Sequence, residues 1–253
     1  MNETTPDLSV AIIACDAERT ITRTLGSVAG VARRVVVVDS GSTDRTVEIC
    51  REHGAEVVHR EWEGYARQKQ YAMEFCDSEW VLSLDADESL DAEAEEEVSR
   101  SVKSNDPAVA GYAVNRRVWF RDRELRHAWQ PEWMARLVRR GKGRWEGYEP
   151  HPALIVNGVV RRIRGNIRHD SFATISDFVH KQVSHGLKTG ESYYEMGRSG
   201  TALKLLVSPP AAILKQLVVK RAWQDGWMGW VAAFGAGIHT AVKHMRLLEL
   251  SRR

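Results

Sequence analysis

Two aspartates spaced i, i+2 stand in the segment Leu84-Asp85-Ala86-Asp87-Glu88, directly after a short apolar run. Carboxylates at the exit of a buried strand can both reach one divalent cation. Mg²⁺ or Mn²⁺ takes carboxylate, water and phosphate oxygens and seldom an all-protein cage, so a diphosphate would complete the shell. The cation would then neutralise charge developing on a departing phosphate. Taken alone the pair is a common pattern, and it reads equally as a solvated acidic turn capping a helix at Asp91. A second acid sharpens the chemistry. Asp39 ends the β-branched run 35–38 and is followed by Ser40-Gly41-Ser42, small residues that let a ligand approach the backbone. A carboxylate there can accept hydrogen bonds from a ribose hydroxyl or a base N–H. Asp16, after the first apolar run, makes a third acidic position. Lys69 could meet a phosphate, although a lysine on a helix is more often a solvated one.

These residues need elements to carry them. Residues 8–14 (LSVAIIA) are apolar throughout, the mark of a strand buried on both faces. Ile21, Thr24, Leu25 and Val28 follow at helical spacing. After the second run, Thr43 or Asp44 caps a helix through His53, and Gly54 stops it. Residues 55–59 read as a third strand, 65–76 as a helix, 80–84 as a fourth strand, and 91–103 as an acidic, exposed helix. This alternation predicts βαβ units and an α/β fold with a mostly parallel sheet flanked by helices. Ligands of such sheets bind beyond the carboxyl ends of the strands, so Asp16, Asp39 and Asp85/Asp87 are expected on one rim. After Asn105-Asp106-Pro107 the segments 111–120, 134–139 and 153–168 are strand-like and Arg-rich, an antiparallel or mixed extension. From Thr174 the pattern is helical over about 174–196, 201–222 with a break at Pro209-Pro210, and 226–250. The expected division is an α/β domain over 1–170, the part that would carry the site, and a helical C-terminal extension over 171–253.

The formal net charge of +2 hides an asymmetry: residues 1–106 carry 11 Lys+Arg against 23 Asp+Glu, and the rest carry 25 against 11. A basic half beside an acidic half fits two packed lobes or an anionic partner. It holds no recognised nucleic-acid motif, so no nucleic-acid partner is expected. Cys15, Cys50 and Cys76 lack metal-ligand or CxxC spacing and read as reduced thiols of a cytoplasmic protein. Residues 1–7 are short and polar, and no secretion signal is expected.

The stretches LSVAIIACDAER, VVVVDSGSTDRTVEICREHGAEVVHREWEGYARQKQYA, WVLSLDADE, RLVRRGKGRW and RAWQDGWMGWVAAFGAGIHTAVKHMRLLEL resemble the inverting family 2 glycosyltransferases, in particular the lipopolysaccharide-core glucosyltransferase-like branch. The resemblance runs over nearly the whole chain. It implies a GT-A-type, Rossmann-like sheet and transfer of a sugar from a nucleoside diphosphate, a UDP-sugar, to a hydroxyl of a glycan or glycolipid in envelope synthesis. It implies that the backbone near Ala14, with Asp16, Asp39, Ser40 and Lys69, holds the nucleotide. Asp85 would lie near the ribose and metal water, and Asp87 would ligate Mg²⁺ or Mn²⁺. An acidic residue further on would deprotonate the acceptor. The chain departs from the pattern twice. Cys15-Asp16-Ala17-Glu18 stands where relatives have Lys-Asn-Glu. Tyr148-Glu149-Pro150-His151-Pro152 stands where they often have a His-Glu pair. The general base is therefore open between Glu149 and His151, with Glu132 third, because a base needs reach before its pKa matters. Trp62, Trp119, Trp129, Trp133 and Trp145 could line an acceptor groove or simply pack.

Residues 198–253 hold nine Lys+Arg and two Asp+Glu, with Trp223, Trp227, Trp230 and Phe234. The apolar stretch 227–242 is shorter than the ~20 residues of a membrane-spanning helix. It suits an interfacial helix on the inner face of the cytoplasmic membrane, a helical subdomain on the core, or a homo-oligomer interface. Two other functions compete: a sugar nucleotidyltransferase, against which residues 14–19 lack the glycine-rich loop, and a non-catalytic nucleotide- or membrane-binding relative.

Overall fold

A computed structural model describes residues 6–252, which divide into two compact units. The first holds the chain up to Arg116 with Trp133–Gly147 and His151–His169. The second holds Arg117–Glu132, Tyr148–Pro150 and the chain from Asp170 onward. Besides the C-terminal helices expected beyond 170, this second unit therefore draws in two short segments from earlier in the chain.

In the first unit, β1 (Leu8–Ala14) lies between β2 (Arg34–Asp39) and β4 (Trp80–Asp85), and β3 (Glu56–His59) flanks β2, all parallel. Every residue of β1 is buried, because both faces of the sheet are covered. One face packs Val10, Ile12, Val37 and Leu82; the other packs Ala11, Val36 and Val81 against Ala72 and Met73 of α3 (Tyr65–Glu74). The helices α1 (Ile21–Gly26) and α2 (Thr46–Glu52) complete the alternation. Helix α4 (Ala92–Ser104) is capped by Asp91, whose side chain accepts from Ala94 N at 2.8 Å. It is less exposed than its acidic sequence suggests, since Ala94, Val98 and Val102 form a buried stripe.

The Arg-rich strands extend this sheet. Its order among the described residues is β3-β2-β1-β4-β8-β6-β11-β5, with β7 (Arg123–Glu124) paired to β6 (Gly111–Phe120). Strand β8 (Trp133–Arg139) is antiparallel to β4 and β6, and β11 (Val160–Phe172) is antiparallel to β5 (Glu88–Leu90). A separate two-stranded ribbon pairs β9 (Gly143–Tyr148) with β10 (His151–Val156). One consequence matters for chemistry. Only Ala86-Asp87 join the carboxyl end of β4 to β5, the strand that pairs with β11, so the acidic crossing is a two-residue link beside the end of β4.

The second unit contains α5 (Ile175–Glu195), α6 (Ala202–Leu214), a π-helical turn over Lys215–Val219 and α7 (Trp227–Leu250). Helix α6 continues through Pro209-Pro210, where a break was expected. Two amide donors are lost there, but no residue of α6 is buried, so solvent can satisfy the carbonyls left over. The core of this unit joins Phe172, Phe178, Ala222, Met228 and Ala232. Gly229 allows the start of α7 to approach the preceding turn: a Cβ on it would lie 1.6 Å from the Ala222 carbonyl oxygen. Backbone cannot swing aside as a side chain can. Gly229→Ala is therefore expected to cost about 1–3 kcal/mol in urea unfolding, despite the better helix propensity of alanine.

Candidate functional site

The parallel register places the acidic residues along one edge. Asp39 pairs with Ala14 and Asp85 with Ile13, on either side of β1. Two strand spacings separate them, about 10 Å. Ala14 and Ile13 are neighbours on one strand, so the two aspartates start from opposite faces of the sheet. Asp39 turns toward the loops after β1 and β2. Asp85 turns toward α3.

On the Asp39 side, the loops are tied to each other. Asp39 Oδ2 accepts from Gly41 N (2.9 Å) and Ser42 N (3.0 Å), and its Oδ1 accepts from Ser42 Oγ at 2.5 Å. Gly41 permits this tight turn at φ +89. Ser42 Oγ in turn accepts from Asp16 N (2.9 Å), and Asp16 Oδ1 accepts from Thr43 N (2.8 Å). The Ala14 carbonyl is taken by Ser40 N at 2.9 Å. Asp39 is 4% exposed and aimed by three internal bonds. An ionised carboxylate has about four acceptor positions, so capacity for a ligand N–H or O–H remains.

On the α3 side, consecutive residues reach both flanks of β1. Gln68 Nε2 donates to Ser40 Oγ at 2.9 Å, and Lys69 Nζ stands 2.6 and 2.9 Å from the two oxygens of Asp85. Lys69 is buried, and the Trp145 ring lies 4.5 Å from its ammonium. Burial lowers the Lys69 pKa, and Asp85 opposes that fall. Lys69 is thus a buried partner of Asp85 and not a solvated lysine.

A second buried network braces the crossing. Glu88 Oε2 accepts from Asp85 N at 3.1 Å. Its Oε1 meets Arg136 Nη2 at 2.7 Å and Arg116 Nη1 at 3.1 Å. The same Arg136 nitrogen is 3.8 Å from Asp85 Oδ2. Arg136 and Glu88 are both fully buried. Burial alone would push the Glu88 carboxyl up, but Arg136, Arg116, His169 and Lys69 outweigh it and hold it at about 2.

The register of β5 with β11 sets Glu88 opposite His169, which brings His169 Nε2 to 3.3 Å from Asp87 Oδ2. The buried His169 Nδ1 has no hydrogen-bond partner among the described residues. Nδ1 is therefore unconstrained by the described residues while Asp87 faces Nε2, and a ring carrying its proton on Nδ1 can present the Nε2 lone pair to a cation. Among the described residues there is no group of three or more His, Cys, Asp or Glu arranged to hold a metal ion. Asp87 and His169 still make a two-donor set of the kind Mn²⁺ or Mg²⁺ accepts when substrate oxygens fill the remaining positions. Asp85, engaged by Lys69, fits a supporting position better than a direct ligand. Neither Glu88 nor His169 is marked by spacing: Glu88 reads as one more acid in DADE, and His169 sits in an Arg-rich strand without a motif.

The candidates for general base are divided. His151 opens β10 in the first unit and is exposed, whereas Glu132 and Glu149 are half-buried members of the second unit. The Glu149 carbonyl accepts from Ser192 Oγ at 3.0 Å. Of the tryptophans, Trp145 is buried beside Lys69 and Arg136, and Trp129 packs against Phe178 in the core of its unit. An open cleft of about 480 Å³ lies along α3, lined by Arg60, Arg67, Gln70, Tyr71, Arg144 and Trp145 among others.

A parallel half-sheet with acids at the ends of β2 and β4, extended by antiparallel strands past the acidic crossing, is the GT-A architecture of sugar-transferring enzymes. Residues 9–164 match Glycosyl transferase family 2, and the chain belongs to that family. The chain is 28% identical to the lipopolysaccharide core biosynthesis glycosyltransferase LpsC of Rhizobium meliloti, over 96% of this chain and 92% of LpsC. It is 25% identical to a glycosyltransferase of Rickettsia typhi, over 96% and 87% of the two chains. Among solved structures it is similar to the mannosyltransferase PcManGT of Pyrobaculum calidifontis in complex with GDP-Man and Mn²⁺ (TM-score 0.49, 17% identity, 92% of this chain and 74% of that one). It is also similar to glucosyl-3-phosphoglycerate synthase of Mycobacterium tuberculosis in complex with Mn²⁺ and UDP (TM-score 0.36, 21% identity), where the match spans 46% of this chain and 44% of that one. Family membership makes the protein a glycosyltransferase and sets aside the sugar nucleotidyltransferase.

Proposed function

We propose that the protein moves a sugar from a UDP-sugar to a hydroxyl of an envelope glycan or glycolipid, with inversion, aided by Mg²⁺ or Mn²⁺. The observation that carries the reading is the pair of aspartates flanking β1 on one carboxyl edge, each already aimed by neighbours. Asp39 accepts from the uracil N–H or a ribose hydroxyl, with Gly41 and Ser42 holding its carboxylate in place. Asp87 and His169 would hold the cation. When bound, it supplies positive charge against the diphosphate as the sugar leaves. Lys69 keeps Asp85 oriented, and Glu88 fixes the Asp85 backbone while neutralising Arg136 and Arg116. Inversion requires a base on the opposite side of the sugar ring from the diphosphate, a task open to Glu149, His151 or Glu132. The similarity to LpsC supports an envelope-glycan acceptor.

Calorimetry with UDP and Mn²⁺ tests the donor site. Asp39→Ala removes the acceptor and frees the Gly41 and Ser42 donors to turn away. UDP affinity is expected to fall about 10-fold or more, in keeping with a lost charge-assisted bond of roughly 1.5–3 kcal/mol. Unchanged affinity rejects the nucleoside role. A thermal-shift series of nucleoside diphosphates with and without Mn²⁺ tests the choice of UDP directly.

A further inference from the structure

Among the described residues, the second unit carries a run of exposed apolar side chains. Leu203, Leu206, Val207, Leu214, Val218 and Val219 are each 55–73% exposed. Most follow one another at helical steps along α6 and the π-helical turn, and no residue of α6 is buried. Trp223, Trp227, Trp230 and Phe234, 48–55% exposed, repeat the same spacing into α7. Exposed apolar side chains in this number, at helical spacing, mark an interaction surface.

Charge decides which partner fits. Lys204, Lys215 and Arg221 are exposed along the same elements. Residues 198–253 contain only two acids against nine basic residues. One of the two, Asp225, is buried and accepts from the backbone N–H of Arg126, His127 and Ala128. The other, Glu249, pairs with Arg246 near the far end of α7. A second copy meeting this face on a two-fold axis would set cation against cation. An anionic lipid surface would be attracted instead, with indole rings at headgroup depth.

The apolar helix 202–219 has 18 residues. At 1.5 Å per residue it reaches about 27 Å, short of a hydrocarbon core of about 30 Å. Lys204 and Lys215 break its apolar run, and α6 packs along α7. A helix held on its neighbour with one face bare suits the plane of the interface, not its normal.

We propose that this face of the second unit docks on an anionic bilayer surface, with α6 lying in the interfacial plane. The inference stands independently of the transfer reaction. Its test is co-sedimentation of the full chain with vesicles of phosphatidylethanolamine and phosphatidylglycerol, against vesicles of phosphatidylcholine. Binding to the anionic vesicles is expected to be at least about tenfold tighter and to weaken at 0.5 M salt. Leu206→Asp with Val218→Asp should cut that binding at least about tenfold, since each residue stops inserting. Both positions are exposed, so circular-dichroism melting should not change. Ile155→Asp, 52% exposed on β10, should bind as the parent does. Equal binding by the double variant, or none by the parent, overturns the proposal. So does a dimer in light scattering that the double variant dissolves, which assigns the face to a second copy. Carbonate-resistant membrane fractionation overturns it too, since that would mean a spanning helix. No arm reads sugar transfer, so its result and that of the donor-site experiment fail separately.

Discussion

Asp87→Ala is expected to lower sugar transfer by about 10³-fold or more while leaving the fold intact. The size follows from the work assigned to the carboxylate: electrostatic stabilisation of a leaving diphosphate is worth several kcal/mol, and each 1.4 kcal/mol is tenfold. The intact fold follows from position. Asp87 lies beyond the end of β4 with a side chain 26% exposed, and its partner His169 is 3.3 Å away. A partly exposed pair of this kind contributes about 1 kcal/mol or less to stability. The same variant should also lose the Mn²⁺-dependent part of UDP stabilisation in thermal shift, which separates a metal defect from a damaged acceptor site. Transfer at the parental rate would reject the metal role.

Glu88→Ala is expected to act through the fold, with a loss of about 3–5 kcal/mol in urea unfolding, because it strands a fully buried Arg136 beside a nearly buried Arg116. Replacement by Gln should cost less, since an amide oxygen can still accept from an arginine while the charge is gone. The pH dependence is also directional. The folded-state pKa of Glu88 lies near 2, below its ordinary value of 4.5. The unfolded chain therefore binds the proton first, so the contribution of Glu88 is complete above about pH 4.5 and is lost as pH falls toward 2. Acid unfolding monitored by circular dichroism should show a smaller stability change over that interval in Glu88→Gln than in the parent. Identical acid profiles would mean that Arg136 is neutralised by another group.

The two aspartate positions were legible in sequence for a physical reason. A strand buried on both faces must be apolar along its length, so an acid that ends such a run marks the rim where the chain meets solvent. That logic places Asp39 and Asp85 correctly on one edge. It does not tell which way each points, because side-chain direction depends on the register of β1 with its two neighbours. Only the register separates Asp39, turned to the Asp16–Thr43 loops, from Asp85, turned to Lys69. The same holds for Trp145 and Trp129. Both are aromatic residues in polar surroundings of sequence, yet one lies beside two cations and the other against a core.

What the sequence determined by itself was local and periodic: the βαβ alternation, the strand-end acids, the Asp91 cap, the long C-terminal helices and their excess of positive charge. These follow from patterns of a few residues, where burial and hydrogen-bond geometry act at short range. What the tertiary structure alone decided was pairing across distance. The pairing of β5 with β11 brings Glu88 opposite His169 and His169 beside Asp87, although the two partners are about 80 residues apart in sequence. Folding brings Arg136 under Glu88, and it leaves α6 bare where composition pointed to 227–242. No spacing rule encodes such contacts, because strand order and helix docking are settled by the free energy of the whole packed assembly and not by any one segment.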